Sequence, residues 1–368
     1  MEPEKKLRLI HLASSHLIGL TNQELQLAKA YRKSGLGSIL IVTGENEQVS
    51  GSFSQLKLNN IPYQVISGFD HHQNFFGLVR EFKRVISKFK PTTVSVNTNW
   101  QLLIVGLSRL PSLNKFRIVY TVHGFRNNSR FKSVVARFLI GLLLFLFADS
   151  INAPTRYVRD EFKLLGYKTK TIPLGEDDVF FENSSLPDFS TPIDFCFPGE
   201  FRKGKNQRLL VDAFSQFLEK TKNSQSKLYL CGSGALFHEV VDHAKKLGLN
   251  GRVIFTGQIG RKEMMELYRR CQVVIVPTNS ETFGHCIAEP LIMQRIVISK
   301  PVGVALDCIE HGKNGFIFGT QKDLVDQMVS VASMDKSELE RISHSAGETG
   351  RRFRWADVAK RNIEELMS

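Results

Sequence analysis

Short runs of branched and aliphatic residues alternate along this chain with longer stretches in which apolar residues recur every three or four positions. Runs such as Leu7–Leu12 are typical of buried β-strands, and stretches such as Phe76–Lys90 are typical of amphipathic helices. Strands that alternate with helices imply a parallel sheet covered by helices. In the first half the predicted strands are Leu7–Leu12, Ser38–Val42, Tyr63–Ile66, Thr93–Asn97, Arg117–Val122, Ser150–Ala153 and Thr171–Pro173, and the predicted helices are Gln23–Ser34, Phe76–Lys90, Gln101–Leu110 and Ser129–Phe147.

The same alternation restarts after Glu182–Pro192, a polar segment rich in turn formers that is typical of a linker. The pattern therefore predicts an α/β protein with two doubly wound domains in tandem, residues 1–174 and 175–345, followed by helical residues 346–368. Ligands of such sheets bind outside the carboxyl ends of the strands. A cleft between two such domains is the expected site. The predicted strands of the second domain are Phe195–Pro198, Leu228–Cys231, Val253–Thr256, Val273–Pro277 and Val297–Ser299, and the predicted helices are Asn206–Leu218, Leu236–Lys246, Glu263–Arg270, one that begins near Phe283, and Asp323–Ser333.

The excess positive charge of the chain lies in its first half. The formal net charge is +13, and residues 1–175 hold 24 lysines and arginines against 10 acidic residues, so residues 176–368 are close to neutral. The basic half is expected to meet an anionic partner such as lipid headgroups, a phosphorylated acceptor or nucleic acid. Because no nucleic-acid-binding motif is recognisable and basic and aromatic positions are hardly interleaved, we expect no nucleic-acid partner.

The cysteines and the apolar runs of the sequence indicate the cellular location of the protein. The cysteines form no CxxC pair, which argues against a disulfide framework or a zinc site and predicts a reducing cytoplasm. Arg8 and His11 interrupt the first apolar run, which predicts a strand and not a signal peptide. Phe138–Phe147 has ten apolar residues, too few to span a bilayer. We expect a cytoplasmic protein, peripheral on the inner face of the cytoplasmic membrane. The five cysteines are Cys196, Cys231, Cys271, Cys286 and Cys308.

Two glutamates eight positions apart, Glu281 and Glu289, enclose the pair Phe283-Gly284 between an apolar strand and a helix. The first glutamate lies on the loop at the carboxyl end of the strand. Gly284 lets the backbone approach a ligand closely, and the N-terminus of the helix offers N–H groups to a phosphate. Glu289 lies about one turn into the helix, where its carboxylate can accept hydrogen bonds from sugar hydroxyls.

This segment resembles the E-x7-E signature of the family 4 retaining glycosyltransferases, which have the GT-B fold of two Rossmann-like domains facing across a cleft. The resemblance implies that Glu281 contacts the donor sugar and that Glu289 binds the ribose hydroxyls. It also implies that the backbone of Phe283, Gly284 and His285 holds the diphosphate. The last helix of the family crosses back to the N-terminal domain, where Trp355 is the expected anchor.

A glycine turn and a basic cluster, Phe197–Asn206 (FPGEFRKGKN), follow an earlier strand and open a helix. Such a segment is an anion site by charge and geometry. It resembles the family motif G-R-L-x-x-x-K, whose arginine and lysine hold the diphosphate. Gly199 and Lys205 match the motif, but Glu200 stands at the arginine position. Arg202 is expected to supply the missing charge.

Two further segments resemble family motifs of the donor site. Cys231-Gly-Ser-Gly234 follows the strand KLYL, in the place of the family's G-x-G loop. Val253–Gln258, VIFTGQ, resembles the V-x-F-x-G strand end near the nucleotide base. Gly232, Gly234 and Gln258 therefore join the expected donor-binding residues.

In the first half the resemblance holds only in outline. The segment TVHGF ends a predicted strand, and its His123 resembles the family histidine that lies at the donor sugar. Gly19 is the only glycine in a loop where the family often has two. We expect Gly19, Arg126 and Arg130 on the acceptor side.

Arg126–Phe147 and Glu176–Asp178 each allow a second interpretation. Arg126–Phe147 has four basic residues before its ten apolar ones, which is compatible with docking on an anionic membrane. Phe138–Phe147 lacks a polar face, which favours burial for that part. The three acidic residues Glu176–Asp178 are interpreted as a solvated turn, and no metal ligand is assigned.

The resemblance implies a retaining, metal-independent enzyme without a cofactor. Lys205, Arg202 and the helix N-terminus would stabilise the leaving diphosphate, while His123 and Glu281 would orient the sugar. Family habit favours a UDP-sugar, and the basic first half favours a lipid-linked or carbohydrate acceptor, as in bacterial surface polysaccharide or lipopolysaccharide assembly. A nucleotide-sugar epimerase on the same fold, a basic nucleic-acid-binding protein and an inactive regulatory protein stay open as alternatives.

Overall fold

The chain folds into two compact units, Met1–Gly175 with Trp355–Ser368, and Glu176–Arg354. The computed structural model describes residues 7–12, 18–35, 37–43, 57–66, 74–110, 115–122, 130–163, 169–222 and 225–367. Each unit holds a sheet of parallel strands with helices between consecutive strands. The predicted fold class, two doubly wound α/β domains, is confirmed.

The first unit alternates strands and helices in the way the hydrophobic pattern predicts. In chain order its elements are β1 (Leu7–Leu12), α1 (Ile18–Ser34), β2 (Gly37–Thr43), β3 (Tyr63–Val65), α2 (Phe75–Phe89), β4 (Thr93–Val96), α3 (Asn99–Arg109), β5 (Arg117–Thr121), α4 (Arg130–Phe147), β6 (Ser150–Ala153), α5 (Arg156–Lys163) and β7 (Thr169–Thr171). The strand order is β3-β2-β1-β4-β5-β6-β7. The chain therefore moves outward from β1 in one direction and from β4 in the other.

The second unit repeats this architecture. In chain order its elements are α6 (Asp178–Glu182), β8 (Phe195–Pro198), α7 (Gln207–Thr221), β9 (Leu228–Cys231), α8 (Phe237–Lys246), β10 (Val253–Gly257), α9 (Arg261–Arg270), β11 (Val273–Val276), α10 (His285–Ile292), β12 (Ile296–Ser299), α11 (Ala305–Cys308), β13 (Phe316–Ile317), α12 (Gln321–Ser333), α13 (Lys336–Gly350) and a 3-10 turn (Arg351–Phe353). The strand order is β10-β9-β8-β11-β12-β13. The predicted linker, residues 182–192, belongs to this unit, where the side chain of Gln272 donates to the carbonyl of Asp188 at 2.8 Å.

The last helix, α14 (Trp355–Met367), belongs to the first unit. Its buried Ile363 and Leu366 join the apolar cluster that α1 forms with β1 and β2. The hydroxyl of Thr93 in β4 donates to the carbonyl of Leu366 at 3.2 Å. The other face of the same sheet is covered by α2, α3 and α4, which share a second cluster.

In helix α4 the segment Phe138–Phe147, for which the sequence left burial and membrane contact open, is covered on one side only. Leu144 is buried, and Ile140, Leu143 and Phe147 pack against the core as half-buried side chains. Five other large apolar side chains of the helix are exposed, because the sheet and α3 cover only one side of it. They are Phe138, Leu139, Leu142, Phe145 and Leu146. Among the described residues, no helix combines the length and apolar content that crossing a bilayer requires.

Candidate active site

The candidate site lies at the carboxyl ends of the central strands of the second sheet. The chain leaves β8 toward β9 and β10, but it leaves β11 toward β12 and β13. The loops that follow β8 and β11 therefore diverge at this switch point, where open α/β sheets bind their ligands. The β8 loop carries Lys205 and the β11 loop carries Glu281. The topology thus brings together the two loops that the sequence singled out.

Lys205 and Glu281 form an ion pair between Nζ and Oε1, and both side chains are largely buried. The two loops are also tied together beside this pair. The backbone N–H of Asn279 donates to the carbonyl of Gly204 at 2.8 Å, and the side chain of Asn206 donates to the carbonyl of Pro277 at 2.7 Å. These two hydrogen bonds hold the loops that carry Lys205 and Glu281 against each other.

The glycines after β8 and β9 allow their loops to pack backbone against backbone. Gly232 has φ of +133°, and a Cβ there would overlap the carbonyl oxygen of Gly199. Gly234 has φ of +148°, and a Cβ there would come within 2.5 Å of the carbonyl oxygen of Phe201. The N–H of Phe201 donates to the carbonyl of Ser233 at 2.9 Å. These contacts give Gly232 and Gly234 a packing role, and their role in donor binding stays a prediction.

The N-terminus of α10 forms the next wall of the site. Gly284 precedes the helix with φ of +98°, a left-handed conformation that favours glycine. The carbonyl of buried Phe283 accepts from the N–H of Val304 at 2.7 Å, which seats the loop after β12 against this turn. The first N–H groups of a helix have no partner within it. The predicted phosphate contacts at Phe283, Gly284 and His285 therefore have the geometry of an anion site.

Glu289 lies on the inward side of α10. Its Oε2 accepts from the hydroxyl of fully buried Tyr268 at 2.9 Å. Burial raises the pKa of Glu289 to about 7, and the charge of Glu176 acts in the same direction, whereas His285 and the Tyr268 hydroxyl act against it. The pKa of this carboxyl group therefore lies close to neutral pH. Its predicted role toward ribose hydroxyls remains a prediction.

Glu176 corrects the interpretation of residues 176–178 as a solvated turn. Its side chain is 5% exposed, and its Oε1 lies 2.6 Å from Nδ1 of His285. Asp177 caps α6 through the N–H of Val179 and pairs with Arg261. The role of Glu176 could not be predicted from the sequence, because its histidine partner is 109 positions away. The prediction that no metal is bound stays untested.

Arg202 and Gln258 lie at the rim of the site. The guanidinium Nε of Arg202 lies 3.0 Å from Oε2 of Glu200, and both side chains are more than half exposed. Arg202 thus pairs with Glu200, which stands at the position where the family motif has an arginine. Arg202 was predicted to replace the positive charge of that arginine. Gln258 follows β10 and is exposed. Neither position decides whether the residue binds a donor.

Two family models match almost the whole of this chain. The model "Glycosyl transferases group 1" matches residues 180–349, which include every residue assembled above apart from those at positions 176–179. The model "Glycosyltransferase Family 4" matches residues 19–178. The chain belongs to glycosyltransferase family 4. The resemblance inferred from the E-x7-E segment is confirmed.

Individual relatives of this glycosyltransferase agree with the family assignment. The O-antigen chain mannosyltransferase C of Escherichia coli is 28% identical over 55% of this chain and 54% of its own length. The chain thus spans about half the length of the curated relatives it matches. Among solved structures, HepE of Anabaena in complex with UDP has a TM-score of 0.79 at 20% identity and covers 98% of this chain and 99% of its own. The lipopolysaccharide outer core galactosyltransferase WaaB has a TM-score of 0.75 at 16% identity, with 98% and 99% covered.

The predicted site residues of the first unit are only partly described. His123 and Arg126 lie outside the described residues. Gly19 and Arg130 lie in the first turns of α1 and α4. His11, which the sequence did not favour, is buried in β1, and burial lowers its pKa to about 4. The imidazole of His11 is therefore neutral near pH 7.

Proposed function

We propose that this glycosyltransferase moves a sugar from a UDP-sugar to a membrane-associated glycolipid acceptor. The reaction retains the anomeric configuration and needs no metal ion. The convergence of Lys205, Glu281 and the N-terminus of α10 at the switch point of the second sheet carries this proposal. The complex of HepE with UDP supports the choice of nucleotide. The names of the relatives in O-antigen and lipopolysaccharide synthesis support an acceptor used in bacterial surface polysaccharide assembly.

In the proposed reaction the bond between the anomeric carbon and the diphosphate oxygen breaks, and its electron pair stays on the diphosphate. Lys205, Arg202 and the N–H groups of α10 would stabilise that charge. The acceptor hydroxyl attacks the anomeric carbon from the face that the diphosphate leaves, and it passes its proton to the leaving phosphate oxygen. Glu281 and His123 would orient the sugar ring.

A thermal-shift panel tests the donor. UDP-, GDP-, ADP- and dTDP-sugars are compared with and without EDTA, because a ligand of the native state raises the midpoint by mass action. We expect UDP-sugars to raise the midpoint equally under both conditions. A shift that EDTA abolishes would contradict the metal-independent proposal, and no shift with any nucleotide would favour an inactive relative. The anomeric configuration of the product, read by NMR, tests retention.

The exposed side of α4 is proposed as the surface that meets the membrane. Phe138 and Phe145 are 71% and 77% exposed on the same side of the helix. Arg130, Lys132 and Arg137 precede or adjoin them in the sequence, and residues 123–148 include no acidic residue. On α2, which packs against α3 on the same face of the sheet, Phe76, Arg80 and Arg84 are also exposed at helical spacing. Apolar side chains flanked by cations are suited to an anionic lipid interface.

Vesicle co-sedimentation tests this surface. We expect the protein to pellet with phosphatidylglycerol vesicles but weakly with phosphatidylcholine, and the double variant Phe138→Ser, Phe145→Ser to stay in solution. Leu247→Ser, a similar change at an exposed position of the second unit, is the matched control. Equal pelleting of the double variant would contradict the proposal. A dimer that the double variant abolishes would indicate a second copy of the chain as the occupant.

A further inference from the structure

The two basic side chains predicted to hold the diphosphate both have carboxylate partners. Lys205 pairs with Glu281, and Arg202 pairs with Glu200 at 3.0 Å. Glu200 occupies the position where the family motif has an arginine. A departing nucleoside diphosphate gains negative charge, so its stabilisation requires fixed positive charge nearby. A further cation close to the N-terminus of α10 would add to that stabilisation.

His285 occupies that position. It is the first residue of α10, directly after the left-handed Gly284, so its own N–H is one of those that open the helix. The edge of the Phe283 ring lies against the imidazole, with ring centroids 5.2 Å apart. Its side chain keeps 43% of its surface exposed. A ligand at the helix N-terminus can therefore reach the imidazole.

A buried carboxylate holds this imidazole from the other side. Oε1 of Glu176 lies 2.6 Å from Nδ1 of His285. The backbone of Glu176 is fixed as well, because its N–H donates to the carbonyl of Phe353 at 2.8 Å. The positive end of a helix dipole disfavours a cation at this place. A buried anion beside the ring offsets that effect.

The charges around the ring favour its protonated form. Burial lowers the pKa of His285, but the charge of Glu176, the hydrogen bond to it, and the charges of Glu289 and Glu281 together raise the pKa to about 9. Three cations lie near these carboxylates. Lys205 pairs with Glu281, Arg261 pairs with Asp177 and lowers the pKa of Glu289, and the backbone of Arg354 bridges to that of Glu176. At neutral pH the imidazolium form therefore predominates.

We propose that the imidazolium of His285, kept charged by the buried carboxylate of Glu176, binds the diphosphate of the sugar donor and stabilises it as it leaves. This inference rests on the proposed function and names a catalytic group that the family motifs did not assign. His285 keeps its proton throughout, because the acceptor's proton passes to the leaving phosphate. Glu176 is a positioning residue that acts only through His285.

Calorimetric titration with UDP and with uridine tests the assignment. We expect His285→Gln to weaken UDP binding at pH 7.5 roughly ten- to hundredfold, the range of hydrogen bonds to charged groups. Uridine, which lacks the phosphates, should bind the variant and the wild type equally. His285→Lys, which restores a charge, should recover part of the UDP affinity. His243→Gln is the matched control, because His243 pairs with Asp212 at 2.5 Å elsewhere in the same unit.

The pH profile separates a charge role from a structural one. Wild-type affinity for UDP should fall as the pH rises through about 9, and Glu176→Gln should move that fall to lower pH. His285→Gln should remove the part of this fall that UDP does not share with uridine, because the uracil base of both ligands also loses a proton at alkaline pH. If UDP affinity depended on pH in His285→Gln as it does in the wild type, the assignment of His285 would be overturned and the proposed function would stand. Absence of UDP binding by the wild type would overturn the proposed function and this assignment with it.

Discussion

At the residue scale, His11 and His285 respond to their surroundings in opposite ways. Burial in β1 lowers the pKa of His11 to about 4. Burial acts on His285 in the same direction, but the adjacent Glu176 outweighs it and the pKa rises to about 9. The first histidine is therefore neutral and the second is charged at neutral pH. Only the second can hold an anion.

His11 makes the first unit sensitive to acid. Its folded-state pKa lies below the unfolded value of 6.5, so from pH 6.5 down to about 4 the unfolded chain binds a proton that the folded chain does not. Stability is therefore lost across this range, and His11→Gln should reduce the loss. Both tryptophans, Trp100 and Trp355, lie in this unit, so urea unfolding followed by tryptophan fluorescence measures it. An unchanged pH slope in the variant would contradict the assignment.

Gly232 should tolerate no side chain. Gly232→Ala adds a clash with the carbonyl of Gly199 to the strain of a positive φ, so we expect a loss of roughly 2–4 kcal/mol. Gly248 also has a positive φ, but nothing lies within 4 Å of an added Cβ. Gly248→Ala should therefore cost about 1 kcal/mol. Urea unfolding followed by circular dichroism compares the two, and equal losses would show that the loops do not need their close packing.

At the element scale, the periodicity of apolar residues predicted most of the helices, because one face of each helix is buried and the other is polar. In α2, for example, Leu78, Phe82, Val85 and Ile86 are buried at helical spacing. The segment Phe138–Phe147 of helix α4 has no polar face, so its pattern could not say which side the fold would cover. Burial and contact with a membrane therefore both stayed open for this segment. The contact of Glu176 with His285 was missed for a related reason, since it depends on two distant segments meeting.

Helix α12 begins with a cap that the chain provides locally. Thr320 accepts from the N–H of Asp323, and the Asp323 carboxylate accepts in return from the N–H of Thr320. Thr320→Ala should destabilise the second unit by about 1 kcal/mol, the usual cost of losing a cap. Ser333→Ala, at the exposed far end of the same helix, should change stability by less than about 0.5 kcal/mol. Calorimetric unfolding measures the stability of both variants. Equal losses of stability in the two would contradict a stabilising cap.

At the scale of the whole molecule, the chain crosses from the first unit to the second and then back. Gly175 lies against the ring of Trp355, where a larger residue would clash. Glu365 is buried in α14 and pairs with Lys170 of β7. The first unit is therefore completed only when the last segment of the chain has been added.

Loss of apolar contacts in α14 should unfold the first unit more easily. Leu366→Ala removes a buried side chain from the cluster on α1, and we expect a loss of roughly 2–4 kcal/mol. Glu364→Ala, at an exposed position of the same helix, should be close to neutral. Tryptophan fluorescence during urea unfolding measures both. A Leu366→Ala effect no larger than that of Glu364→Ala would contradict the role of this helix.

Calorimetric titration with UDP-glucose tests whether the loops after β8 and β11 bind the diphosphate of a sugar donor. The variant is Lys205→Ala, and the control is Lys220→Ala, whose lysine pairs with Asp326 at 2.9 Å on the surface of the same unit. We expect the wild type and Lys220→Ala to bind equally, and Lys205→Ala to bind at least about tenfold more weakly. Equal binding by all three proteins would show that these loops do not hold the diphosphate through Lys205.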